Sequence, residues 1–159
     1  MEIIIGCSKN TKIGSKLIQW WMGTDYSHVY VKWRLRTQDR SIVYHASHGM
    51  VHFISEENFK LKNQVVKEYE LNIGQRHFIE FSKHCVDLAG QEYSTLELGQ
   101  ILLNNLTDGR YKAEDLPGYI CSELMAELLE NFFKAKFDKP RYLLTPKDII
   151  LFLERGLRG

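Results

Sequence analysis

Proline is scarce in this chain, three residues of 159, and no proline- or glycine-rich stretch interrupts it. With no linker, internal repeat or low-complexity tract, the expectation is one domain over residues 1–159. Cysteine is scarce as well. Cys7, Cys85 and Cys121 are widely spaced and odd in number, which disfavours a disulfide framework, and no Cys-x-x-Cys pair points to zinc or redox work. Charge of one sign is lacking: 21 Lys and Arg against 20 Asp and Glu leave a net +1. No global field draws nucleic acid or an anionic membrane, and no long Lys/Arg run supplies a local one, so nucleic acid is not an expected partner. Long apolar runs are missing too. Met1-Glu2-Ile3-Ile4-Ile5-Gly6 carries an early acid and three apolar residues in a row, which does not read as a secretory signal, and nothing reaches the length of a membrane span. The default expectation is a reduced, cytoplasmic protein with no integral membrane segment, reaching any outside substrate by another route. What remains is ordinary globular composition, 44% hydrophobic and 26% charged, in a chain long enough to bury a core without metals or disulfides.

Ile3–Ile5 reads as a short strand, and Ile13, Leu17 and Trp20 or Trp21 recur at helical spacing. Ser27–Trp33 and Ser41–Ala46 are β-branched and aromatic strands around a polar turn, and Met50–Ile54 and Val65–Leu71 extend the sheet. Phe78, Phe81, Cys85 and Leu88 mark one face of a helix over residues 74–88. A further helix is expected over Thr95–Leu106, then a loop over Thr107–Tyr119 with Asp108-Gly109 and Pro117-Gly118. Cys121 opens a helix lined by Leu124, Leu128 and Phe132, and Thr145-Pro146-Lys147-Asp148 is a helix start with a capping Thr and an acid three residues on. The fold class is α+β, a small antiparallel sheet followed mostly by helices.

Two features could carry chemistry. If Trp33 pairs with Arg40 across a six-residue loop, His28 falls directly opposite His45, with Tyr30 and Val43 on the same face. Facing Cβ atoms lie roughly 4.5–5.5 Å apart, close enough for two imidazoles to hydrogen-bond. Spacing alone fits equally well with two polar residues on a half-solvated sheet. Cys121 follows Leu116-Pro117-Gly118-Tyr119-Ile120, where loop becomes helix. Unpaired N–H groups there favour a thiolate and can hold an oxyanion. Free cysteines are nevertheless more often buried and inert than catalytic. Cys85 falls on an apolar helix face. Cys7 follows the first strand at a place that could line a cleft, with no helix start to serve it.

Tyr26-Ser27-His28-Val29, followed far downstream by Tyr119-Ile120-Cys121-Ser122-Glu123-Leu124, resembles the permuted, YiiX-like branch of the NlpC-type papain-like hydrolases. Lys16–Trp20 with Gly23-Thr24-Asp25, Val43-Tyr44-His45-Ala46 with Gly49-Met50-Val51, Gly90-Gln91-Glu92-Tyr93 and Leu144–Ile149 resemble further pieces in the same order. The resemblance implies a circularly permuted papain-like fold and a thiol-protease or amidase-type activity. Cys121 would be the nucleophile, His28 its base and His45 the residue that orients His28. Tyr119, Tyr26 and Ser122 would line the oxyanion side of the cleft. The substrate would be a peptide, isopeptide, cell-wall peptide or other acyl amide, with no cofactor and no metal. Many permuted relatives carry Glu where His45 stands, and the usual Gly-Asp opening is replaced by Met1-Glu2-Ile3. Small stand-alone relatives occur in phage genomes, which offers one delivery route.

Other readings remain open at this stage. His45, His48 and His52 would share one face of a helix and could hold zinc, but Gly49 and flanking β-branched residues oppose a helix there. Trp20-Trp21-Met22 could line an apolar slot for a fatty-acyl group, in a lipid amide or ester hydrolase or an acyltransferase. A binding module that has lost the reaction would keep the same fold.

Overall fold

The computed structural model describes residues 1–35, 37–93, 99–101, 103–104, 107–108, 110–111 and 118–156. The expected loop over Thr107–Tyr119 and helix over Thr95–Leu106 fall largely outside these residues, although 99–101 and 103–104 are helical. Five strands form one antiparallel sheet: β1 (Glu2–Lys9), β2 (His28–Leu35), β3 (Arg40–Ser47), β4 (Met50–Ser55) and β5 (Gln64–Asn72), in the order β4-β3-β2-β1-β5. The α+β class holds. The last strand does not continue beside β4 but crosses over to pair with β1, so β1 lies between β2 and β5. That double pairing explains why β1 runs on through Gly6, Cys7 and Ser8, beyond its apolar start.

Alternation gives the sheet two unlike faces. Ile3, Ile5, Cys7, Val29, Val31, Trp33, Tyr44, Ala46 and Val51 point to the main core. There they meet α3 (Gln75–Leu88), α4 (Cys121–Phe133) and α5 (Pro146–Gly156), through Phe81 and Cys85, Leu124 and Leu128, and Ile149 and Leu153 respectively. The opposite face carries Tyr30 and Val43, covered by Phe59 of the short helix α2 (Glu56–Lys62). Gly6 lies beneath Tyr30, where a Cβ would come within 2.4 Å of the ring. The absent side chain lets the Tyr30 hydroxyl donate to Glu68 Oε1 at 2.7 Å.

Helix α1 (Ile13–Met22) ends on Gly23 in the left-handed region, whose N–H caps the last turn. Lys147 Nζ donates to Met22 O at 3.1 Å and fastens α5 to that end. The start of α5 is the expected capping box. Asp148 Oδ2 accepts from Thr145 N–H (2.8 Å) and hydroxyl (2.7 Å), and Asp148 N–H donates to Thr145 Oγ1 at 3.3 Å. Cys7 is corrected: it lies inside β1, wholly buried in the core, and lines no cleft.

Candidate active site

The approach to β2 is tightly held. Ser27 N–H donates to Ser8 O at 3.0 Å, and the Ser27 and Ser15 hydroxyls meet at 2.5 Å. Ser15 Oγ also accepts from Gln19 Nε2 at 3.0 Å and Asn10 N–H at 3.3 Å, so α1 is fixed beside the residue that precedes His28.

His28 Nε2 lies 2.8 Å from His45 Nδ1, with ring centroids 5.0 Å apart and planes at 75°. The register beneath this pair differs from the expected one. Trp33 pairs with Ile42 and Leu35 with Arg40, a shift of two residues, so His28 sits diagonal to His45 rather than opposite. The strands gain ladder pairs at Arg34–Ser41 and Leu35–Arg40, which satisfy backbone groups that a six-residue loop would leave to water. Because the shift is even, both rings stay on the face of Tyr30 and Val43.

Phe59 packs on both rings, with centroids 6.4 Å from His28 and 5.3 Å from His45. His52, paired with His45 across β3 and β4, has its ring centroid 4.6 Å away. Burial pushes His28 down to about 4, helped by His48 and His52, and pushes His45 down to about 2, helped by His28, His52 and His48. Both rings are therefore neutral at pH 7. His45 Nε2 is buried without a hydrogen bond among the described residues. His28 is half-buried, its Nδ1 takes no hydrogen bond among the described residues, and it lines a cavity of about 300 Å³ with Ser15, Ile18, Ser27, His45 and Tyr93.

Cys121 is the first residue of α4, preceded by Ile120 in extended conformation, and no side chain caps the turn. Burial pushes its thiol up to about 11, against the opposing pull of the N–H groups of Val29, Ser122 and Cys121 itself. It is a thiol at pH 7. It sits in a mostly apolar pit of about 20 Å³ lined by Ile18, Trp21, Ser27, Tyr93, Ile120 and Leu144 among others, room for little more than one water. Among the described residues no hydrogen bond joins Cys121 to His28. The thiol packs with the helix-covered core, and the imidazole projects from the other face of the sheet. The two cavities are neighbours and share Ile18, Ser27 and Tyr93.

Tyr93, not singled out as a site residue from sequence, is held there by backbone pairing to Gly49 O (3.0 Å) and a bridge to Tyr119. Burial and the charge of a Cys121 thiolate push its phenol up, so it remains a hydroxyl donor. The other cleft candidates are differently placed. Ser122 lines the pit, with its hydroxyl donating to Leu144 O at 2.6 Å. Tyr26 is packed in the core and lines neither cavity. Tyr119 also lines neither; its hydroxyl donates to Glu127 Oε2 at 2.9 Å. Glu127 gathers His84 Nε2 (2.8 Å) and Arg141 (3.1 Å) as well, and Arg141 Nε donates to Glu130 at 2.5 Å. That cluster ties the residue two before Cys121 to the second turn of its helix.

His45, His48 and His52 fall on strand, turn and strand. The turn is a two-residue hairpin in which His48 and Gly49 both have positive φ, 52° and 91°. Among the described residues no group of three or more His, Cys, Asp or Glu is placed to hold a metal ion. No helix of the described residues is long and apolar enough to cross a membrane. No protein-family model matches the chain, and no curated protein matches it.

Proposed function

We propose that this chain is a cysteine-nucleophile hydrolase of circularly permuted papain-like fold that cleaves an amide bond through an acyl-enzyme on Cys121. The observation that carries the reading is the 2.8 Å bond between His28 Nε2 and His45 Nδ1. When His28 Nε2–H donates to His45, the lone pair of His28 is on Nδ1, the ring nitrogen without a hydrogen bond among the described residues, and His28 lines a cavity that shares Ile18, Ser27 and Tyr93 with the Cys121 pit. His45 then fixes the tautomer and orientation of the base, the part a carboxylate or amide plays in other triads.

The resting pair is a thiol and a neutral imidazole rather than an ion pair, so the proton moves during attack. His28 Nδ1 takes it from Cys121 Sγ as the sulfur bonds to the carbonyl carbon. The resulting imidazolium returns it to the leaving amine as the C–N bond breaks. Water then attacks the thioester and loses a proton to His28, the C–S bond breaks to release the acid, and His28 returns that proton to the Cys121 sulfur. First-turn N–H groups of α4 serve the oxyanion, and the Tyr93 hydroxyl is a further donor at hand. For this the imidazole, which projects from the other face at the start of β2, must turn toward the pit across the wall of Ile18, Ser27 and Tyr93 that the two cavities share.

A second reading is favoured by one observation. Trp21, with Ile18, Ile101, Ile120 and Leu144, makes the surroundings of Cys121 apolar. An apolar wall suits a fatty-acyl group as well as a peptide once the pit, about 20 Å³ at rest, widens to take it, so lipid amides or esters belong among the substrates to test. Of the neighbouring aromatic and apolar residues, Trp20 is exposed and Met22 is buried, which leaves the lining to Trp21.

The test is a panel of fluorogenic peptide, isopeptide, cell-wall peptide and fatty-acyl amides, read for turnover and for an acyl adduct by mass. The expected result is an adduct on Cys121 with one substrate class, loss of turnover in Cys121→Ala, and a kcat lower by about 10²–10⁴-fold in His28→Ala. Turnover that survives Cys121→Ala, or no adduct with any class, overturns the reading.

A further inference from the structure

The five lysines Lys9, Lys12, Lys16, Lys60 and Lys62 come from segments about fifty residues apart, yet they line one groove between α1 and α2. The groove measures about 860 Å³, and no Asp or Glu is in its lining. Of the five, only Lys60 is paired with a carboxylate among the described residues, Glu56 at 2.7 Å, while Lys12 Nζ donates to His48 Nε2 at 3.1 Å. The near-neutral chain therefore concentrates positive charge in one place.

The same surface carries exposed apolar side chains. Ile13 is 86% exposed, Leu17 53% and Trp20 79%, a stripe at helical spacing along the outer side of α1, and Leu61 of α2, within the groove, is 82% exposed. Scattered apolar residues on a surface need no cause, but a tryptophan, an isoleucine and a leucine in register on one short helix do. The helix is anchored from below by Ser15 and Met22, so this stripe faces away from the protein. At ten residues it is roughly 15 Å long, half the thickness of a bilayer core, and suits lying in the interface rather than crossing it.

We infer that the α1 stripe and the lysine groove are a docking surface for an anionic phospholipid bilayer, with Ile13, Leu17 and Trp20 entering the headgroup boundary and the lysines meeting lipid phosphates. Charge complementarity selects this occupant. A second copy on a twofold axis would set five lysines against five. Nucleic acid would satisfy the charge and find one stacking ring in Trp20, but it would leave Ile13, Leu17 and Leu61 facing water. The groove shares Asn10, Lys12, His48 and Asn63 with the cavity of His28 and His45, so docking would bring the bilayer beside that cavity. The inference goes beyond the hydrolase reading and does not depend on Cys121 chemistry.

The test is sedimentation of the full chain with vesicles of phosphatidylcholine alone and of phosphatidylcholine mixed with phosphatidylglycerol, followed by tryptophan emission. The expected result is binding to the anionic vesicles only, weakened by salt, with a blue shift that is lost in a still-binding Trp20→Phe protein. Lys12→Glu with Lys16→Glu, and separately Ile13→Ser with Leu17→Ser, each weaken binding at least about tenfold. All four positions are exposed, and unchanged circular dichroism shows that the variants fold. Cys121→Ala binds as the parent does, so loss of hydrolysis and loss of docking are read apart. No binding to anionic vesicles overturns the inference. So does lysine-dependent binding to an acidic peptide or oligonucleotide that exceeds binding to vesicles and is indifferent to Ile13 and Leu17.

Discussion

His45 is a buried base and His28 a half-buried one, and the fold selects the neutral form of both. The ordinary value of 6.5 falls to about 4 for His28 and about 2 for His45. Below pH 6.5 the unfolded chain binds protons that the folded chain refuses, so stability rises with pH in this window. The contribution is present above pH 6.5 and is lost as the pH falls toward 4 for His28 and toward 2 for His45. Thermal melts should show the midpoint falling by roughly 5 °C between pH 7 and 5, and His45→Asn should flatten that slope. A midpoint that does not change over this range would mean that the rings are not buried together. Cys121 is also shaped by burial, and at this scale it was half legible. Its place at a helix start follows from Pro117-Gly118 before it and the apolar spacing after it. Its depth did not, because sequence carries no measure of how far Ile18, Trp21 and Leu144 close over a thiol.

Among the elements, α4 carries the most consequence, because it sets Cys121 at its first turn and fixes Tyr119 through Glu127. Glu127→Ala would leave Arg141, Tyr119 and His84 short of a buried acceptor, and urea denaturation should show a loss of about 3 kcal/mol. Glu127→Gln should recover part of it, because an amide oxygen still accepts. A loss within error for Glu127→Ala would mean that the cluster is solvated. The strand and helix patterns were largely readable from residue spacing, and the errors have physical causes. The β2–β3 register slipped by two because Arg34 and Arg40 look like turn residues, whereas the ladder gains backbone bonds by including them. Helix α2 shows little apolar periodicity because its seven residues hold one buried apolar anchor, Phe59. Its signals are present: Ser55 Oγ accepts from Asn58 N–H at 3.2 Å, acids open the helix and lysines close it.

At the scale of the whole molecule, the sheet separates two chemistries. One face builds the core and carries the thiol; the other holds the histidines, and the lysine groove lies beside their cavity. The near-zero net charge conceals that groove, because Lys9, Lys12 and Lys16 meet Lys60 and Lys62 only after β2, β3 and β4 bring the chain back. The hydrolase account depends on chemical communication between the two sides of β2, from Val29, which backs the thiol, to His28, its neighbour in the chain. The most direct test is iodoacetamide labelling mapped to each cysteine by mass across pH 5–10, in the parent protein and in His28→Ala. Cys121 should label faster at pH 7 than the fully buried Cys7 and Cys85, and should slow at least about tenfold without His28, because the neutral imidazole takes the thiol proton as the bond forms. Equal labelling of Cys121 with and without His28 would contradict the account and leave a folded domain whose thiol is only a packing residue.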